Sequence, residues 1–141
     1  MKAEQNLKHL EAYKLKLSKK RMSEILTEEK LILLGSKVSP LMRMREWDVI
    51  FGTSKDGISF RTFFFNTQKF NPTIILVKDT KGIVFGGFAS ERWHPNNRFY
   101  GTGESFLFTF KTKGNISIYR WTCANELILY SDFTKLIMGG G

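Results

Sequence analysis

The sequence is poor in the residues that build covalent cross-links and metal sites. Its 141 residues include 1 cysteine and 2 histidines. Because Cys123 has no second cysteine to pair with, this chain alone cannot form an internal disulfide or a thiolate metal cluster. His9 and His94 lie in different segments, which does not fit a pair of metal ligands. We therefore expect neither a metal nor a cofactor, and the sparing use of cysteine favours a reducing, cytoplasmic compartment.

Long apolar runs are also absent. Charged residues interrupt every candidate stretch before it reaches the ~18 residues that a membrane-spanning helix needs, and residues 1–17 lack the apolar segment of a secretory signal. The chain is instead rich in aromatic residues, with 13 Phe and a hydrophobic content of 42%. This composition predicts a folded chain with one sizeable core, hence one domain with an appendage.

The net charge of +9 is concentrated near the start of the chain. Residues 1–21 carry seven basic and two acidic side chains. This stretch has no Gly or Pro and is rich in Lys, Glu and Leu, so residues 1–24 are predicted to form a basic helical leader. Its charge favours weak contact of residues 1–21 with an anionic membrane or with nucleic acid, although interleaved aromatic residues are sparse.

A second helix is predicted at Glu28–Leu34, with Thr27 as its N-cap and Gly35 as its stop. From Trp47 onward, short aromatic and β-branched runs alternate with turn residues, which is typical of an all-β sandwich. Phe106, Phe108 and Phe110 are predicted to share one core face, and Ile58, Phe60 and Phe64 another. Strands are predicted at 47–53, 58–65, 73–78, 83–90, 105–111, 116–121, 127–130 and 135–138. The fold class is thus mainly β, a two-layer antiparallel sandwich with a few short flanking helices, preceded by the basic helix.

The stretch from Lys78 to Phe110 reads KDTKGIVFGGFASERWHPNNRFYGTGESFLFTF, and it resembles the TLDc domain family. Upstream, Trp47 and the run Asp56–Ser59 look like the family's opening hairpin. Downstream, Tyr119–Thr122, Asn125 and the closing glycines match as well. The family-motif residues, with a structural or an interaction role, are Trp47, Gly57, Ser59, Asp79, Gly82, Phe85, Gly86, Phe88, Trp93, Tyr100, Gly101, Thr102, Gly103, Glu104, Ser105, Phe106, Phe108, Trp121, Asn125, Gly139 and Gly140.

The resemblance runs from about residue 25 to the end, so a TLDc-like domain is expected over residues 25–141. Two positions depart from the family pattern: Gly52 stands where Ser is usual and Gly87 where Ala is usual. The family pattern continues beyond Gly141, and we expect that its C-terminal portion is missing here. Missing strands expose sheet edges and apolar faces. This leads us to expect marginal stability, and completion of the sheet by strand addition.

Candidate catalytic residues have simpler structural explanations. Glu104 follows a glycine-rich run and is expected to accept backbone N–H bonds that fix this loop. Gly86 and Gly87 are expected to allow a bulge or the close approach of another backbone. Cys123 lacks the resolving partner that a peroxidatic thiol uses. No nucleophile, base and orienting group can be assembled, so the sequence favours a protein without enzymatic activity.

The resemblance implies a protein-interaction module linked to protection against oxidative stress. It also implies binding to, or regulation of, the vacuolar proton-pumping ATPase, at the cytosolic face of acidic organelles. Composition and spacing by themselves indicate neither role. The alternative from the residues is a basic protein that binds nucleic acid or acidic membrane, and an enzyme fits less well.

Overall fold

The computed structural model describes residues 10–140, which belong to two compact units. Unit 1 takes residues up to Val49 together with Thr112–Ile116. Unit 2 takes Ile50–Lys111 and the chain from Ser117 onward. Within residues 10–140, no helix has the length and apolar character required to cross a membrane.

Unit 1 is built around the helix α1 (Glu28–Gly35), which the sequence predicts. The Thr27 hydroxyl accepts the Lys30 N–H at 3.3 Å, so the predicted N-cap is confirmed. Leu31 and Leu34 are buried. A Cβ on Gly35 would lie 1.8 Å from the Tyr13 carbonyl oxygen, so this position has room only for glycine. The short helix α2 (Pro40–Arg43) follows, capped by Ser39.

The predicted basic helix is wrong for residues 12–22, where the structure has turns and the strand β1 (Lys16–Leu17). β1 pairs in parallel with β2 (Glu46–Trp47). Leu15 is 1% exposed, and its N–H donates to the Leu31 carbonyl at 3.2 Å. These tertiary contacts outweigh the helix propensity of the segment, because propensity is a weak preference. The remainder of the predicted leader, residues 1–9, lies outside the described residues.

Unit 2 contains an antiparallel sheet in the order β3-β4-β5-β6. Its strands are β3 (Thr73–Lys78), β4 (Val84–Ala89), β5 (Phe106–Thr109) and β6 (Ser117–Arg120). All four were predicted, because each has the alternating or β-branched pattern of a strand. Asp79 closes the turn between β3 and β4, where its carboxylate accepts the Lys81 and Ile83 N–H groups at 2.9 Å. Gly82 adopts a φ of 84° in this turn, a conformation that favours glycine.

One side of this sheet carries aromatic side chains. Phe88 and Phe106 are register partners on β4 and β5, and their rings stack at 5.1 Å. Phe108 and Phe110 continue the row with ring contacts at 6.3 and 5.7 Å. All four are buried. The predicted shared face of Phe106, Phe108 and Phe110 is therefore confirmed.

The opposite side of the sheet is covered in part by a second layer. This layer consists of α4 (Phe60–Thr67) and of the antiparallel pair β7 (Leu129–Ser131) and β8 (Leu136–Met138). The buried core between the sheet and this layer comprises Phe63, Phe64, Ala89, Trp93 and Leu129. A Cβ on Gly87 would lie 2.3 Å from the Met138 sulfur. The mainly β fold with a few short helices is confirmed. β4 is paired residue for residue without a bulge. The close approach of another backbone occurs at Gly86, where a Cβ would lie 1.8 Å from the Ile75 carbonyl oxygen, whereas Gly87 gives space to the side chain of Met138.

The strands predicted at 47–53 and 58–65 are wrong. The first region holds the end of β2 and the short helix α3 (Thr53–Asp56), which ends at Gly57 instead of opening a hairpin. The second holds α4, whose N-cap Ser59 accepts the Thr62 N–H at 3.3 Å. The predicted core face of Ile58, Phe60 and Phe64 does not form, since Ile58 is 94% exposed. A run of phenylalanines is compatible with either period, and only packing decides between them.

Substitution of consecutive phenylalanines distinguishes the helix α4 from a strand. Phe63 and Phe64 are both buried and Phe65 is 73% exposed, whereas neighbouring residues of a strand point to opposite faces. We expect Phe63→Ala and Phe64→Ala each to lower the free energy of unfolding by about 3–5 kcal/mol, because each leaves a cavity, whereas Phe65→Ala changes it by less than about 0.5 kcal/mol. Urea unfolding followed by tryptophan fluorescence measures all three. A loss for only one of Phe63→Ala and Phe64→Ala would contradict the helical arrangement.

Candidate interaction surface

Many of the motif residues meet around the glycine loop, defined here as Gly101–Ser105, in unit 2. The preceding residue, Tyr100, forms an antiparallel bridge with Leu129 of β7, with N–H to carbonyl distances of 2.7 and 2.8 Å. Gly101 has a φ of 92°, and a Cβ there would lie 2.8 Å from a Leu129 methyl carbon. The loop is therefore attached directly to the second layer of unit 2.

Hydroxyl groups hold the loop against the end of β4. Ser90 Oγ lies 2.9 Å from both Thr102 Oγ1 and Ser105 Oγ, and the Ser90 N–H donates to Ser105 Oγ at 3.0 Å. Glu104 is exposed, and none of the hydrogen bonds found among residues 10–140 involves its carboxylate. The prediction that Glu104 fixes the loop is thus wrong. The loop is held instead by the short hydroxyl side chains of Ser90, Thr102 and Ser105. Ser90 was not among the predicted motif residues.

Trp121 covers the other side of the loop. A Cβ on Gly103 would lie 2.1 Å from the indole Cε3, so glycine gives the ring its space. The indole N–H donates to the Asn125 carbonyl at 2.6 Å, and the ring remains partly exposed. At the far end of β8, the Gly140 N–H donates to the Leu127 carbonyl at 2.8 Å. Four motif residues predicted from separate parts of the sequence thus belong to this one region.

Tyr100, Ser131 and His94 form a hydrogen-bonded group beside the loop. The Tyr100 hydroxyl lies 2.5 Å from Ser131 Oγ, which donates to the His94 carbonyl at 2.5 Å. The His94 N–H in turn donates to the Tyr100 hydroxyl at 3.2 Å, and the two rings stack at 4.0 Å. Since His94 contributes its backbone and not a ring nitrogen, it does not serve Ser131 as a base. The group therefore links the segment His94–Tyr100 to Ser131 of β7.

The other motif residues have local roles. Trp47 belongs to unit 1, where its indole N–H donates to the Met42 carbonyl at 3.0 Å. Gly57 ends α3 and Ser59 caps α4. Within unit 2, Gly57 and Ser59 thus serve the ends of helices and not the glycine loop. Between Leu10 and Gly140, no three His, Cys, Asp or Glu side chains are grouped as metal ligands would be.

Four apolar side chains project from the part of the sheet that the second layer leaves uncovered. Register places Val77 opposite Phe85, and Leu107 opposite Tyr119, on the same side of the sheet as Gly87. These four side chains, here called the open face, are between 38% and 60% exposed. No charged residue of the four strands points to this side, because Lys78 and Arg120 alternate to the aromatic side. Thr109 and Ser117 alternate to this side as well, so the open face is uncharged and largely apolar. Exposed apolar surface of this kind marks interaction sites.

Sequence reasoning did not identify Val77 and Leu107 as surface residues. The signal that finds them is the period of two: on each strand they alternate with residues of the aromatic side. Phe85 was singled out only as a family-motif residue. The second layer determines which part of this side of the sheet is covered. This layer contains the helix α4, which the sequence predicted as a strand.

A single carboxylate organises the turn from β7 to β8. Asp132 Oδ1 accepts the Thr134 hydroxyl at 2.6 Å, the Thr134 N–H at 2.7 Å and the Lys135 N–H at 3.0 Å. The Tyr130 hydroxyl donates to Oδ2 at 2.9 Å. These bonds, the one from the Thr134 hydroxyl first, hold the pKa of Asp132 well below its usual range. The bond to Asp132 also raises the pKa of Tyr130.

Comparison with known proteins places these features in a family context. The TLDc domain model matches residues 19–141. Oxidation resistance protein 1 of Rattus norvegicus and that of Homo sapiens are each 34% identical over 120 residues, which is 84% of this chain and 14% of each relative. Nuclear receptor coactivator 7 of Gallus gallus is 27% identical over 123 residues, 86% of this chain and 13% of that protein. The chain thus spans about 14% of the length of the relatives first matched.

The turn carboxylate makes stability depend on pH in a defined direction. The pKa of Asp132 is depressed in the folded state, so its contribution is complete above the unfolded value of about 3.9 and is lost as the pH falls through the folded value. Urea unfolding should show a larger loss on acidification for the wild type than for Asp132→Asn. Thr134→Val should move the pKa of Asp132 back toward its ordinary value, as read by carboxyl NMR. Identical pH profiles for wild type and Asp132→Asn would contradict the assignment.

Proposed function

Because the chain belongs to the TLDc domain family, we propose that it is a non-enzymatic protein-interaction module that contributes to protection against oxidative stress. Its partner in this proposal is the vacuolar proton-pumping ATPase, at the cytosolic face of acidic organelles. The names of the oxidation resistance proteins support the first part. The resemblance to the TLDc family motif suggests the second.

The open face is the observation that carries the interaction role. Val77, Phe85, Leu107 and Tyr119 lie on four adjacent strands and remain substantially exposed. Burial of a fully exposed apolar side chain contributes about 1.5–3 kcal/mol, and these four, which are about half exposed, can each contribute roughly half of that before the costs of association. An uncharged face offers nothing to a phosphate backbone or to an anionic bilayer. It therefore favours a protein partner with an apolar surface.

Binding to the cytosolic sector of the proton-pumping ATPase tests the proposal. Tyr119→Asp places a charge on the open face, and a buried unpaired charge is strongly unfavourable. We expect the affinity, measured by isothermal titration calorimetry, to fall about tenfold or more. Ile58→Asp is the matched control, since Ile58 is 94% exposed and lies outside the open face. It should bind as the wild type does.

Two results would overturn this assignment. The first is equal binding of the Tyr119→Asp and wild-type chains, which would show that the open face is not part of the interface. The second is the absence of any binding to the ATPase sector by the wild-type chain, which would remove the partner. Circular dichroism of each variant checks that its fold is retained.

The single cysteine supports the non-enzymatic part of the proposal. The Cys123 thiol is exposed, on a loop residue with a φ of 64°. A peroxidatic thiol usually forms a disulfide with a resolving cysteine, and the sequence has 1 cysteine. We expect purified protein to consume peroxide no faster than its Cys123→Ser variant in a catalytic assay. Turnover that this substitution abolishes would show an enzyme instead.

A further inference from the structure

Unit 1 contains an open groove of about 590 Å³ beside the β1–β2 pair. Its lining includes Lys16, Lys19, Lys20, Leu17, Met44 and Glu46. The backbone beneath the lysines is anchored, because the Ser18 N–H donates to the Trp47 carbonyl at 2.8 Å. The Ser18 hydroxyl is buried as well and accepts the Lys20 N–H at 3.3 Å. The groove therefore has a fixed wall from which the lysine side chains extend.

The positive charge of the groove is not neutralised locally. Lys16, Lys19 and Lys20 are exposed, and the salt bridges found within residues 10–140 involve none of them. Lys14, just outside the groove, shows the contrast, since it pairs with Glu28. With Glu46 as the carboxylate of the lining, the groove carries a net charge of +2, three lysines less one glutamate. Unpaired charge of one sign attracts a partner of the opposite sign.

The apolar part of the lining further restricts the kind of partner that fits the groove. Met44 is 73% exposed and Leu17 is half-buried. Methionine is flexible and polarisable, and it adapts to apolar side chains of different shapes. An ion or a free phosphate makes no use of such a surface. The groove thus fits a partner that presents acidic groups next to an apolar side chain.

The composition of the lining distinguishes a peptide from other anions. None of the lining residues is an aromatic on which the bases of a nucleic acid stack. Insertion into a bilayer takes a broad apolar face, whereas this lining has two apolar side chains, Leu17 and Met44. A peptide, in contrast, has backbone N–H groups that donate strong hydrogen bonds to a carboxylate such as that of Glu46.

We propose that this groove binds an acidic peptide segment that carries at least one apolar side chain. The carboxylates of the peptide pair with Lys16, Lys19 and Lys20. Its apolar side chain packs against Met44 and Leu17. The site is independent of the proposed function, because the groove and the open face have no residue in common.

Fluorescence anisotropy with the 141-residue chain tests the proposal, using a labelled peptide in which glutamate and leucine alternate. The triple variant Lys16→Glu, Lys19→Glu and Lys20→Glu should bind this peptide about tenfold more weakly or worse. The control is Lys55→Glu, Lys69→Glu and Lys81→Glu, which has the same net charge but changes exposed lysines of unit 2. It should retain most of the affinity, and circular dichroism confirms folding of both.

A second variant tests the apolar contact. Met44→Ser should weaken binding of the glutamate–leucine peptide but leave a glutamate–serine peptide unchanged. Equal weakening by the two triple variants would overturn the proposal, because it would show attraction by net charge alone. Failure to bind the peptide, with binding to phosphatidylserine vesicles or to single-stranded DNA that the groove variant abolishes, would overturn it in favour of those partners.

Discussion

The packing of small residues on β4 determines how unit 2 is organised. Gly87 and Ala89 present almost no side chain to one side of the sheet, and Met138 lies against Gly87. Because protein interiors are close-packed, a second layer approaches a sheet only where the side chains leave room for it. Two residues earlier on the same strand, Phe85 fills that space. The second layer therefore covers one part of the sheet and leaves the open face beside it.

The same constraint explains the position of the glycine loop. Leu129 is fully buried and pairs with Tyr100, so the loop begins at a fixed point on the second layer. Gly101 and Gly103 then allow the chain to pass beneath Leu129 and Trp121. A side chain at either position would displace one of these two groups. The glycines of the motif thus allow close packing of the loop, and hydrogen bonds among the hydroxyls of Ser90, Thr102 and Ser105 fix it in place.

Local signals were sufficient to predict much of unit 2 from the sequence. The turn at Asp79 and Gly82 has its own side-chain hydrogen bonds and backbone requirement, and the row Phe106, Phe108 and Phe110 shows an unbroken period of two. The failures occurred where two structures share one local pattern. The run Phe63–Phe65 suits a strand by composition, and its helix is decided by the Ser59 cap and by contacts with residues distant in sequence. Likewise, Leu15 is buried, and its N–H bonds to Leu31, a residue distant in sequence, so the local sequence around Leu15 does not reveal its burial. The exposure of Phe85 follows from these same long-range contacts, so the sequence predicted exposed apolar surface but not the residues that form the open face.

The two proposed binding surfaces differ in the force that drives association, and this difference makes them separable by solvent conditions alone. The open face has no charged side chain, so its binding depends on release of water from apolar surface and changes little with salt. The groove of Lys16, Lys19 and Lys20 binds through charges near the surface. Such attraction is screened beyond about 8 Å at physiological ionic strength and weakens as salt rises. A chain with a net charge of +9 also attracts anions without any specific site, and this background falls with salt as well. Interaction that survives high salt therefore reports the open face, whereas the groove is recognised by its dependence on both charge and the Met44 side chain.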